Sequence, residues 1–207
     1  MTEFALKFPL VLASRSEGRR NLLKNLGIPF ALVSTSFDEE KLKQEKSDLS
    51  PKEMALEISR CKALGVDSQS CLVLAADQTG EFASVLLGKT RNPEECLESL
   101  LRMRGREHWL HSGWALVKEG RILAEGVESV RLVLRDLPSS YLDQKIREWE
   151  SWHSCGGYHF EGEGRFLFSE VGGSEDAIIG LPLQPFLNAL FEQGLVIWAE
   201  KNPAGAG

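Results

Sequence analysis

Cys71-Leu-Val-Leu-Ala-Ala76, closed by Asp77, is the stretch on which the fold turns. Six apolar residues in an unbroken run are too few for a typical helix and do not alternate with polar ones, which predicts a strand buried on both faces. A similar run, Pro9-Leu-Val-Leu-Ala13, precedes it and gives way to Ser14-Arg-Ser16. Arg19 to Leu26 then reads as a helix stopped by Gly27, and Ile28 to Val33 as another strand. Beyond the polar segment Ser34 to Ser50, Ser50 as cap and Pro51 in the first turn open a helix reaching about Leu64.

Downstream of Asp77, where the central strand is expected to end, the pattern changes. Phe82 to Leu87 suggests a short hairpin arm, and Asn92-Pro93-Glu-Glu starts a helix that Gly105 stops after Arg104. Glu107 to Val117 and Arg121 to Leu134 are long strands joined by the turn pair Glu119-Gly120. A helix over Ser139 to Glu150, a glycine-rich stretch from Cys155 to Gly164, a strand over Arg165 to Val171 and a helix over Pro182 to Gln193 follow. Asn202 to Gly207 reads as a frayed tail. Early strand–helix alternation with a central hairpin predicts an α/β sheet carrying antiparallel strands, with a cleft between two lobes.

The 207 residues make one large domain or two small lobes at about 150 residues per domain. Apolar residues are 43% and charged residues 26%, which excludes wholesale disorder and coiled coil. No apolar run reaches the roughly 18 residues of a membrane helix, and the start carries an early acid, unlike a secretory signal. The net charge of −6 opposes binding to a nucleic-acid backbone, although a few local cations can still hold a small phosphorylated ligand. Cys61, Cys71, Cys96 and Cys155 contain no close pair, so reduced thiols in a cytoplasmic protein are expected. Neither G-x-G-x-x-G nor a complete P-loop is present.

Four places hold candidate chemistry. At the first strand-to-helix turn, Arg19 and Arg20 oppose the helix dipole, so they are either solvated or near an anion. Asp77-Gln78 follows a buried strand, either as a turn or as a carboxylate at a ligand crevice, able to hold a cation or orient a water. Asp38, Glu39, Lys62 and Lys89 are each unremarkable alone; Gly88 permits close approach to a ligand beside Lys89. In Gly156-Gly-Tyr-His-Phe-Glu-Gly-Glu-Gly164, Glu161 and Glu163 share a face if the segment is extended. That segment is either a solvated loop or a place for a flat base beside Glu161. His108 and His111, three apart in a strand, point to opposite faces and make a poor metal pair.

Together these segments resemble the Maf family of nucleoside triphosphate pyrophosphatases. Leu12-Ala-Ser-Arg-Ser-Glu-Gly-Arg-Arg-Asn-Leu-Leu23 is similar to the family's opening motif L-A-S-x-S-P-x-R-x-x-L-L. Asp38-Glu39, Lys62 in Arg60-Cys-Lys-Ala63, Asp77, Gly88-Lys-Thr90, the glycine-rich segment and Ile179-Gly-Leu-Pro182 follow in the family's order. The resemblance implies a mixed, strongly curved sheet flanked by helices, two lobes with the active-site cleft between them, residues 1–200 as a single domain and 201–207 as a flexible tail.

The resemblance also implies hydrolysis between the α and β phosphates. Asp77 would be the catalytic acceptor of a water proton, an unpaired acid beside the triphosphate. Ser14, Arg19, Lys62 and Lys89 would bind phosphate; Glu39 and Asp77 would hold a divalent Mg, Mn or Co; Gly18, Gln78 and Glu161 would set base specificity. Asp77-Gln78 with Glu161 resembles the branch acting on 7-methyl-GTP, whereas Gly18 and Glu17 replace the bulky residue and the proline common there. The alternatives are a dTTP/UTP pyrophosphatase and a nucleotide-binding regulator of cell division without turnover. The implied partner is a nucleotide, with no nucleic acid or membrane; a homodimer is compatible with this reading.

Overall fold

The computed structural model describes residues 2–200. In chain order the elements are β1 (Thr2–Leu6), β2 (Leu10–Ala13), α1 (Glu17–Asn25), β3 (Phe30–Leu32), α2 (Glu39–Glu45), α3 (Pro51–Leu64), β4 (Leu72–Phe82), β5 (Val85–Leu87) and α4 (Pro93–Met103). They continue with β6 (Glu107–Lys118), β7 (Arg121–Leu134), α5 (Ser139–Trp149), 3₁₀ turns within 151–167, β8 (Phe168–Gly172), α6 (Glu175–Ile179), α7 (Leu183–Glu192) and β9 (Val196–Glu200). The main sheet runs β3-β2-β4-β6-β7-β8, with β5 paired to β4. β2 is parallel to both β3 and β4, and the pairs from β4 through β6 and β7 to β8 are antiparallel, so the sheet is mixed. β1 and β9 form a separate antiparallel ribbon.

β4 sits at the centre because its first half can be buried on both faces. Leu72 to Ala76 expose no surface. Leu72, Leu74 and Ala76 pack with Leu12, Leu23, Trp114 and Phe186 on the side of α1 and α7, whereas Val73 and Ala75 pack with Ala63 and Ala115 on the side of α3. A third core lies where α4 and α5 meet β6 to β8, around Leu100, Met103, Leu132, Leu142 and Phe168. α3 begins where expected, with a capping box in which Ser50 and Glu53 satisfy each other's backbone N–H groups. It lies so close to the sheet that a Cβ on Gly113 would stand 2.5 Å from the Ala55 carbonyl. Among the described residues no helix is long and apolar enough to cross a membrane.

Several boundaries differ from expectation. β4 does not end at Asp77 but continues to Phe82, because each polar residue that follows finds a partner. Asp77 meets Lys62, Gln78 meets Ser112 and Thr79 donates to the Pro51 carbonyl. The segment 162–167 is a 3₁₀ turn and β8 starts only at Phe168. The polar segment after β3 contains α2, capped by Asp38, and neither α6 nor the β1–β9 ribbon was anticipated. The expected tail, Asn202 to Gly207, lies outside the described residues.

Candidate active site

A break in sheet pairing makes the site. On one side of β4, pairing with β2 ends at Ala75, and pairing with β5 begins only at Gly80. The intervening edge, Ala76 to Thr79, faces a cleft of 1270 Å³ lined by the turn before α1, the start of α2, the loop after β5 and the glycine-rich segment. This is the α/β arrangement in which a ligand sits beyond the ends of parallel strands, here β2 and β3.

Arg19 reaches this edge from α1. Its Nη1 donates to the Ala76 carbonyl at 2.7 Å and to Ser14 Oγ at 3.4 Å, and its Nε donates to the Gly180 carbonyl at 2.8 Å. The guanidinium is buried, and desolvation lowers its pKa despite the attraction of Asp77 and Glu39. Arg19 is therefore not a solvated surface cation: it joins α1, β4 and the segment after α6 at the cleft floor.

Lys62, on α3, enters from the opposite face. Its ammonium lies 2.7 Å from Asp77 Oδ1 and 2.6 Å from Glu39 Oε1, and the Lys62 and Asp77 side chains are each only 11% exposed. Asp77 is thus not the unpaired acid that was expected; its charge is balanced from within the chain. Burial acts to raise the pKa of Glu39, but the bond to Lys62 and the charges of Lys62, Lys89 and Lys43 outweigh it and hold the carboxyl below its ordinary value. Lys89, exposed after β5, lines the same cleft.

At the other end, Gly18 faces Ile179 and Glu161. A Cβ on Gly18 would stand 2.7 Å from Ile179 Cγ2 and 3.5 Å from Glu161 Oε1. Glu161 and Glu163 do not share an extended face. Glu163 turns away to Lys145 at 2.7 Å, while Glu161 borders the cleft and has no ion-pair partner among the described residues. Gln78 does not offer both ends of its amide to a ligand, since Nε2 is bonded to Ser112 and to the carbonyls of Ala177 and Ile178.

All nine anticipated residues, Ser14, Gly18, Arg19, Glu39, Lys62, Asp77, Gln78, Lys89 and Glu161, line one cleft. Sequence reading gave no site role to Lys43, His153, Cys155 and His159, which also line it, as does Ile179 of the quoted Ile179-Gly-Leu-Pro182 motif. Their types carry no signal without the turn geometry that gathers them. The Cys155 thiol is pushed up to about 12, first by burial and then by Asp77, so it stays protonated and unreactive at neutral pH. Histidines His108 and His111 do part to opposite sides, one onto Tyr158 and the other between Ser129 and Glu81.

Buried cations and acids thus meet at one sheet edge of an α/β fold, an arrangement in which local charge can hold an anionic ligand. Comparison with known proteins narrows this to a family. The family described as Maf-like protein matches residues 9–193, and the chain belongs to the Maf family. It is similar to a protein of Legionella pneumophila (33% identical, covering 92% of this chain and 96% of that one). Relatives in Maricaulis maris (36%, covering 90% and 97%) and Nitrobacter winogradskyi (37%, covering 91% and 95%) are likewise named nucleoside triphosphate pyrophosphatase, as is the Legionella protein. Among solved structures, a HAM1 protein from Coxiella burnetii is similar with a TM-score of 0.40 and 19% identity, over 63% of this chain and 75% of that one.

Proposed function

We infer that this chain is a nucleoside triphosphate pyrophosphatase, and we propose that it cleaves 7-methyl-GTP or a related guanine-type triphosphate to the monophosphate and pyrophosphate. The family and the named relatives support the reaction. The observation that carries the site assignment is the meeting of Asp77 and Lys62 at 2.7 Å in a cleft that Arg19, Ser14 and Lys89 also line. In this reading Asp77 takes the proton of the attacking water. Ser14, Arg19, Lys62 and Lys89 neutralise phosphate oxygens as charge builds on the departing pyrophosphate.

Glu39 and Asp77 supply the hard oxygen donors that suit a divalent Mg, Mn or Co ion. Among the described residues no three His, Cys, Asp or Glu side chains are grouped to cage a metal. The residues that would hold such an ion are Glu39 and Asp77, which line the same cleft. When bound, such an ion would neutralise charge and lower the pKa of its water.

Glu161 supports the base assignment, because a cleft-lining carboxylate without an ion-pair partner among the described residues can accept the N1–H and amino hydrogens of guanine. The test is pyrophosphate release from 7-methyl-GTP, GTP, UTP and dTTP with Mg²⁺, Mn²⁺ or Co²⁺. Asp77→Asn should lower turnover by about 10²–10⁴-fold while nucleotide binding by calorimetry persists. Retained turnover overturns the role of Asp77, and preference for UTP or dTTP overturns the base assignment.

A further inference from the structure

α6 is a five-residue helix, and a helix end leaves its last carbonyls without intrahelical partners. Here side chains of β4 and β6 satisfy two of them, and Arg19 of α1 takes the carbonyl just beyond. Gln78 Nε2 lies 3.0 Å from the Ala177 carbonyl and 2.9 Å from that of Ile178. Ser112 Oγ donates to the Ala177 carbonyl at 2.6 Å, and Arg19 Nε donates to that of Gly180 at 2.8 Å. Gln78 and Ser112 are directly opposite each other on β4 and β6, and Gln78 Nε2 donates to Ser112 Oγ at 2.9 Å. The next residue of the helix, Ile179, is the one packed against Gly18.

This network has a polarity. Two carbonyls and a hydroxyl whose own hydrogen is committed to Ala177 surround one end of the Gln78 amide, so that end must be the nitrogen. A planar amide then holds Oε1 on the other side. With Glu161, which is also an acceptor, the base end of the cleft offers acceptors and not a donor from Gln78. A base edge rich in N–H groups, as in guanine, matches this arrangement; a base presenting carbonyls there does not.

The geometry points to Ser112 as a positioning residue for base selection: fully buried and not among the side chains that line the cleft, it fixes the Gln78 amide orientation and the α6 wall that bears Ile179. This inference rests on the proposed function and refines it. Its test compares wild type, Ser112→Ala and Ser112→Thr, using 7-methyl-GTP, GTP and UTP for turnover and their non-hydrolysable analogues for calorimetry. Ser112→Ala should reduce the preference for guanine-type over uridine nucleotides about tenfold, through KM and Kd, with kcat on the best substrate changed less than about twofold. Ser112→Thr, which keeps the hydroxyl, should restore the preference. An unchanged preference in Ser112→Ala, with or without a lower unfolding midpoint, overturns the inference and leaves the proposed function standing. Absence of turnover and of nucleotide binding in the wild type overturns both. If Ser112→Thr misfolds, Gln78→Met provides the second variant: it removes both amide ends and should lose the same preference, whereas a retained preference overturns the inference.

Discussion

Lys62 satisfies two acids at once, and its removal tests how much of the fold depends on that balance. Breaking a buried ion pair by deleting one partner costs about 3–5 kcal/mol, because the remaining charge is left in a poorly solvating place. Lys62→Met should therefore lower the unfolding free energy at pH 7 by about that amount, read from urea midpoints. Glu39 gives the sign of the pH dependence. In the wild type its carboxyl is held below the ordinary value of 4.5, so its contribution is present above that pH and lost as pH falls through the lowered value. Without Lys62, burial is opposed only by the charges of Lys89 and Lys43, so the carboxyl is held down less and the deficit of the variant should shrink as pH falls. Gly18 makes a second residue-scale case. Gly18→Ala places a methyl 2.7 Å from Ile179 Cγ2, which must move; narrowing the base chamber in this way should raise KM for a purine substrate severalfold while kcat holds.

Among elements, the seating of α3 on the sheet is the most exacting. Gly113 leaves no space for a side chain against the Ala55 backbone, and backbone cannot swing aside as a side-chain tip can. Gly113→Ala should cost about 1–3 kcal/mol by overpacking and, by lifting the helix that carries Lys62 away from Asp77, reduce turnover beyond the loss of stability. Thermal melting alongside pyrophosphate release separates the two effects. α3 itself was legible from its first residues, since Ser50-Pro51 and Glu53 form a complete local start signal. β4 was legible only through Ala76: Asp77, Gln78 and Thr79 resemble a turn until their partners on α3 and β6 are known, and those partners are distant in sequence. α2 hid in a polar stretch where Leu42 is its one buried residue, and α6 is too short to show a helical period. The candidate residues were recognisable by motif order, but the Lys62–Asp77 pairing and the Gln78 amide orientation are products of tertiary packing that spacing does not encode.

Across the whole molecule, one buried group links pH to global stability. His108, on β6, packs against the glycine-rich segment, with Nε2 2.6 Å from the Tyr158 hydroxyl and Nδ1 without a partner among the described residues. Burial lowers its pKa from the ordinary 6.5 to about 4. The unfolded chain takes up a proton near pH 6.5 that the folded chain refuses, so stability is full above that pH and declines as pH falls toward 4, by up to roughly 3 kcal/mol. Urea midpoints from pH 7.5 to 4.5 should follow this fall, and His108→Gln should flatten it.

The interrupted pairing along β4 carries its own consequence. A bare strand edge ordinarily invites another strand to zip on, with self-association as the hazard. Between Ala76 and Thr79 the bare stretch is only four residues long and recessed between β2 and β5, and the Arg19 side chain already occupies the Ala76 carbonyl. An incoming polypeptide has too little rail to grip, while a small flat molecule with a polyphosphate tail has room beside it. The same unfinished seam that would endanger an outer edge is made safe by being short and sunken.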